Sequence, residues 1–119
     1  MERPPTLRHQ WELSCSAAKF GSLPAIQYLR SVGCDWSGGT CSIAAWNGHL
    51  HILQYAREHG CRWDERTCLF AAYNGHLSIL QYARENGCPW DKMTCLFAAK
   101  NGHLNVLQWC REKDRKSVV

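Results

Sequence analysis

No stretch of this sequence approaches the roughly 18 consecutive apolar residues of a membrane-spanning helix. Its opening, Met1-Glu2-Arg3-Pro4-Pro5, lacks the apolar core of a secretory leader. Neither Cys-x-x-Cys nor His-x₃-His occurs, so the tight ligand pairs of a zinc site are missing. No Gly-rich phosphate loop and no Ser-His-Asp grouping is visible. Charge of one sign is scarce too: 14 Lys and Arg against 10 Asp and Glu leave a net +4, and Arg111 to Lys116 alone accounts for +2 of it. A basic stripe along the chain would be the stronger sign of a nucleic-acid partner.

What is present is one phrase said three times. Trp36, Thr40-Cys41, Ala44-Ala45, Asn47-Gly48-His49-Leu50 and Leu53-Gln54 return 27 residues later as Trp63, Thr67-Cys68, Ala71-Ala72, Asn74-Gly75-His76-Leu77 and Leu80-Gln81. They return again as Trp90, Thr94-Cys95, Ala98-Ala99, Asn101-Gly102-His103-Leu104 and Leu107-Gln108. Self-similarity at such a period signals a solenoid. A degenerate first copy keeps Ala17-Ala18, Gly21-Ser22-Leu23 and Gln27-Tyr28, with His9 at the Trp position. Each copy carries two helical patterns. In the third, Asp64 is a good N-cap and Trp63 with Cys68 occupies the staple positions. Cys68, Ala71 and Ala72 form a small-residue stripe, and Asn74-Gly75 stops the helix. The second helix is expected over about Leu77–Glu85, apolar over much of its circumference and therefore sandwiched between neighbours. In the second copy, Gly38-Gly39 marks the expected soft joint, since each Gly costs about 1 kcal/mol inside a helix.

The run Ala71-Ala72-Tyr73-Asn74-Gly75-His76-Leu77-Ser78-Ile79-Leu80, closing in Asn86-Gly87-Cys88, resembles the second half of an ankyrin repeat. The resemblance spans about residues 7–114. The usual ankyrin repeat has about 33 residues, so these 27-residue copies are short, and the loss falls where that family builds its β-hairpin finger. The expected fold is an all-α, ankyrin-like solenoid of four stacked helix-turn-helix repeats (7–33, 34–60, 61–87, 88–114). Short hairpin-free loops join them, a disordered lead-in over 1–6 precedes them and a tail over 115–119 follows. Val106, Leu107, Trp109 and Cys110 keep the sandwich pattern with no repeat after them. That surface is expected to stay exposed, to meet another molecule or a second copy, or to lie under Ser117-Val118-Val119.

Eight cysteines in a short chain raise the question of disulfides. Equivalent positions in stacked repeats should stand about 8–10 Å apart, beyond the roughly 7 Å Cα separation a disulfide allows; a Cys34–Cys41 pairing within one repeat stays open. Buried, reduced thiols are the expectation, and with them an intracellular, cytoplasmic setting. His49, His76 and His103 are expected to be structural. Trp36, Trp63 and Trp90 are expected as core wedges between repeats, and Arg30, Arg57, Arg84 and Arg111 as a solvated mixed-charge column beside Glu58, Glu85 and Glu112.

Positions that differ between copies while the frame holds are the candidates for contact. After each Ala-Ala come Lys19, Trp46, Tyr73 and Lys100; before each Thr come Gly38-Gly39, Glu65-Arg66 and Lys92-Met93. In ankyrin repeats, which these resemble, both sites line the concave binding face. The expected function is a non-catalytic scaffold, with no cofactor and no metal, that binds another protein there. The alternative is a nucleic-acid module using the basic excess.

Overall fold

The computed structural model describes residues 11–117; the lead-in expected over 1–6, His9, and Val118-Val119 lie outside the described residues. Eight helices and no strand occur among them: α1 (Trp11–Phe20), α2 (Leu23–Ser31), α3 (Thr40–Trp46), α4 (Leu50–Glu58), α5 (Glu65–Tyr73), α6 (Leu77–Glu85), α7 (Lys92–Lys100) and α8 (Leu104–Ser117). They form four antiparallel pairs stacked in one row, an all-α solenoid whose connections carry no hairpin.

The helix limits follow from caps. Asp64 accepts from the Arg66 amide at 2.9 Å, and Asp91 from the Met93 amide at 2.8 Å, which starts α5 and α7. In the second pair Ser37 Oγ instead accepts from the Gly39 amide. Gly38-Gly39 stays outside the helix, and α3 has only 7 residues against 9 in α5 and α7. The soft joint is thus a missing first turn. At the far end of α5 the His76 amide donates to the Ala71 carbonyl (2.8 Å) and the Gly75 amide to that of Ala72 (3.2 Å), with Gly75 at φ +76°. This is the Schellman pattern. It closes α6 in the same way through Cys88 and Gly87.

The core runs the length of the stack through small residues on the first helices and branched ones on the second. Cys41, Ala44, Ala45, Cys68, Ala71, Ala72 and Ala98 are buried with Ile26, Ile52, Leu53, Ile79, Leu80 and Val106. The Ala-Ala pairs let first helices approach closely. Consecutive first helices (α1, α3, α5, α7) pack on one another, whereas second helices barely touch their successors. The row therefore bends toward the first helices, whose outward side becomes the concave, inner face. In the last repeat nothing among the described residues covers the stripe: Leu104 (64% exposed), Leu107 and Leu96 are open, and Cys95, expected on the buried stripe, is only half-buried. Val106 and Cys110 are buried within their own pair.

Two glycines separate backbone strain from packing. Gly75 and Gly87 both hold positive φ, but a Cβ on Gly75 would stand 2.6 Å from His103 Nδ1, whereas one on Gly87 would meet nothing within 4 Å. Left-handed backbone costs a non-Gly residue about 1–2 kcal/mol. Gly87→Ala is expected to lose about that much, and Gly75→Ala clearly more, in urea unfolding of the two variants; equal losses would show that the His103 ring yields freely.

Candidate partner-binding face

The residues singled out by the sequence divide into those that hold the stack together and those left on its surface. The histidines belong to the first group. Nε2 of His49, His76 and His103 bonds the carbonyl of Lys19 (3.1 Å), Trp46 (3.1 Å) and Tyr73 (2.8 Å) in the preceding repeat. A carbonyl only accepts, so Nε2 carries the hydrogen. Asn74 and Asn101 donate to the same Trp46 and Tyr73 oxygens at 2.7 and 3.0 Å. Among the described residues no three His, Cys, Asp or Glu side chains gather as a metal cluster.

Three of the four arginines in the column do not form a solvated face, while Arg111 is exposed as expected. Arg30, Arg57 and Arg84 each donate through Nη1 to the carbonyl of Cys34 (3.0 Å), Cys61 (2.7 Å) and Cys88 (3.0 Å). Each guanidinium then lies over the indole of the next repeat, 4.6, 4.2 and 4.5 Å from Trp36, Trp63 and Trp90. The tryptophans in turn are not buried wedges. They are half-buried against the core edge, held between that guanidinium and a ring of their own second helix: Tyr55, Tyr82 or Trp109. Sequence shows that an indole recurs, but not that a neighbouring cation covers its face.

The thiols pair at a spacing the repeat period concealed. Cys41 and Cys61, reduced and fully buried, hydrogen-bond to each other, as do Cys68 and Cys88. Donation to the partner sulfur and burial push the Cys41 and Cys68 thiols far above the ordinary range. Accepting that bond pulls Cys61 and Cys88 down against the opposing effect of burial. In the first repeat Ser14 takes the place of Cys41 and lies 3.5 Å from Cys34 Sγ.

The positions expected to make contact lie elsewhere. Lys19, Trp46, Tyr73 and Lys100 end the four first helices at the inner face, all exposed; Glu65, Arg66 and Lys92 are exposed at the opposite ends, with Met93 half-buried. Arg66 is committed to an ion pair with Asp64 at 3.0 Å, which holds that carboxyl below its usual range. Trp46 and Tyr73 stack on each other, centroids 5.1 Å apart and planes 21° off parallel. Phe70 meets the Trp46 ring edge-on at 5.2 Å, and Phe97 lies 5.6 Å from Tyr73. The surface is therefore a continuous aromatic ladder over three repeats. Phe70 and Phe97 were missed because they repeat in kind, which reads as core. Their signal was helical spacing: each lies three residues before a contact candidate, outside the Cys-Ala-Ala stripe. Lys19 Nζ sits 5.5 Å from the Phe20 ring and Lys100 Nζ 5.7 Å from the Phe97 ring, so a cation stands at each end.

Residues 68–109, in the third and fourth repeats, match the family model for ankyrin repeats (many copies), and the stacked helix pairs with Gly-His joints form an all-α, ankyrin-like solenoid. No curated protein matches the chain. Ankyrin repeats are in general modules of protein–protein interaction.

Two outcomes test the assignments to the frame. Trp63→Ala should lose about 2–3 kcal/mol, less than the ~3–5 of a fully buried indole, and Arg57→Ala about 1–2 kcal/mol. The double variant should lose less than the sum, because the two groups form one contact; strict additivity in urea titrations would contradict the stacked geometry. In the native protein a thiol reagent read by mass spectrometry should modify half-buried Cys15 well before Cys41, Cys61, Cys68 and Cys88, which should react only on unfolding.

Proposed function

We propose that this chain is a non-catalytic scaffold whose inner face binds a protein partner, with Trp46 and Tyr73 as its centre and Lys19 and Lys100 at its ends. The observation that carries this reading is the stacked, exposed Trp46–Tyr73 pair. Large rings left at the surface of a packed protein forfeit burial, and aromatic residues dominate the centres of protein interfaces. Stacking also fixes both rings before any partner arrives, so less side-chain freedom is lost on binding. Phe70 and Phe97 widen the apolar area around them; Glu65, Arg66, Lys92 and Met93 form a mixed-charge edge. Recurrence of Cys and His in the last three repeats, in structural roles, supports a non-catalytic chain. Buried reduced thiols support a reducing, intracellular setting, and no helix of the described residues is long and apolar enough to cross a membrane.

The nucleic-acid reading loses support from the arginine column, whose guanidinium groups are spent on indoles and carbonyls within the stack. The exposed last repeat, with Leu104 and Leu107, is a second apolar surface on which a further copy of the chain would dock; the aromatic ladder has the stronger claim because its rings are already ordered.

The test is capture from native extract by the chain and by a Trp46→Ala/Tyr73→Ala variant, followed by titration of the captured partner. Each single truncation should weaken binding by about 2 kcal/mol or more while costing the fold only about 1 kcal/mol in thermal melts, less than Trp63→Ala costs. Undiminished capture by the double variant would overturn the reading. So would a Tyr73→Ala variant that melts as badly as Trp63→Ala, since that ring would then belong to the core. Binding to DNA or RNA that falls steeply with salt would favour the alternative.

A further inference from the structure

The ladder is not uniform, and its irregular end says what it receives. One column of the inner face, three residues before Lys19, Trp46, Tyr73 and Lys100, reads Ser16, Ile43, Phe70 and Phe97. The column shrinks toward the first repeat. Where Ser16 stands, the rings present in the third and fourth repeats are missing, and a cavity of about 460 Å³ opens between the first two repeats. Its walls are Ile43, Phe70 and the Trp46 indole on one side and Cys15 and Ser16 on the other; Lys19 stands at its rim. The lining is almost wholly apolar apart from that ammonium and Asn47. Among the described residues no carboxylate ion-pairs with Lys19, whereas Arg66, in the third repeat, is neutralised by Asp64.

We infer that the occupant of this face is an acidic peptide segment that inserts one large apolar side chain into the hole beside Trp46 and sets a carboxylate against Lys19. The inference rests on the reading that the inner face binds protein, and adds the chemistry of the partner and its polarity along the stack. Three features combine. At about 460 Å³ the hole has room for a bulky side chain together with part of the backbone that carries it, and it is one pocket within a larger contact. Its apolar walls reward an aromatic or long aliphatic group by burial. The rim cation rewards a carboxylate next to that group and disfavours a Lys or Arg there. Lys100 at the other end of the ladder, also without an ion pair among the described residues, extends the preference for acid along the segment.

The test pans short random peptides, displayed on phage, on the whole chain, and measures the recovered sequences as synthetic peptides against three variants. Ser16→Phe places at this position the residue that the third and fourth repeats already carry, so it fills the hole with a side chain the fold accepts. Lys19→Glu reverses the rim charge. Tyr73→Ala removes the ladder's centre. Melts of all three establish that they are folded. The expected result is enrichment of peptides carrying a large apolar residue close to Asp or Glu, whose affinity falls about tenfold or more on both Ser16→Phe and Lys19→Glu. Peptides without acid, or peptides indifferent to Ser16→Phe, would overturn the inference. If those peptides were still lost on Tyr73→Ala, the inner face would stand as a docking surface and only its partner chemistry would fall. Selection yielding no peptide sensitive to any of the three would sink both. Competition by a single-stranded oligonucleotide, weakening steeply with salt, would also overturn the inference and assign the face to nucleic acid.

Discussion

The whole stack hangs on a joint between a histidine ring and a glycine that has no side chain to obstruct it. A helix leaves its last carbonyls without partners. Here the carbonyl closing each first helix, at Lys19, Trp46 and Tyr73, accepts from the histidine of the following repeat. The ring reaches it only by passing over the left-handed glycine just beyond, Gly21, Gly48 or Gly75, where a Cβ would stand within 2.8 Å of it. Asn-Gly-His is therefore not a helix stop followed by a helix start. The Gly of one repeat is the seat for the His of the next. The joint draws the first helices together, whereas the second helices, linked through the indole placed between them, pack less closely, and that imbalance curves the row.

The joint also explains why variable side chains stand where they do. Residues 19, 46, 73 and 100 contribute a backbone carbonyl to the histidine joint, or would in a longer row, and the joint itself makes no demand on their side chains. Lys, Trp, Tyr and Lys satisfy the same structural requirement equally well. A position whose backbone is fixed and whose side chain is unconstrained suits contact with a partner, since substitution there changes the surface without moving the frame.

Much of this was legible in the sequence, and the misreadings have two causes. The period, the four helix pairs, the limits of α6 at Leu77 and Glu85, and the caps Asp64 and Gly75 follow from spacing and residue type, which act over a few residues. Trp63, Arg57, Cys41 and Cys61 were read less well because each depends on a contact across about 6 to 24 residues. Trp63 reads as core until the Arg57 guanidinium is found covering it; Arg57 reads as surface until the indole is found under it. Cys41 and Cys61 look unrelated in a 27-residue frame, because they meet at an offset of 20. Phe70 and Phe97 were passed over for the opposite reason. Repetition was taken as evidence of burial, yet a column can repeat because it builds a continuous surface.

Spending the arginines within the stack leaves the electrostatics of the inner face to few groups. Net charge of +4 suggests a diffuse attraction for polyanions, but Arg30, Arg57 and Arg84 are turned to the backs of the indoles and Arg66 is paired. What remains at the ladder is a lysine at each end with aromatic surface between. That pattern is short, apolar in its middle and directional, because the hole beside Trp46 lies at the Lys19 end. A phosphate backbone offers regularly spaced charge and would gain little from such an asymmetry. A peptide carrying one bulky side chain and nearby carboxylates gains from all of it, and has only one orientation along the four repeats in which both requirements are met.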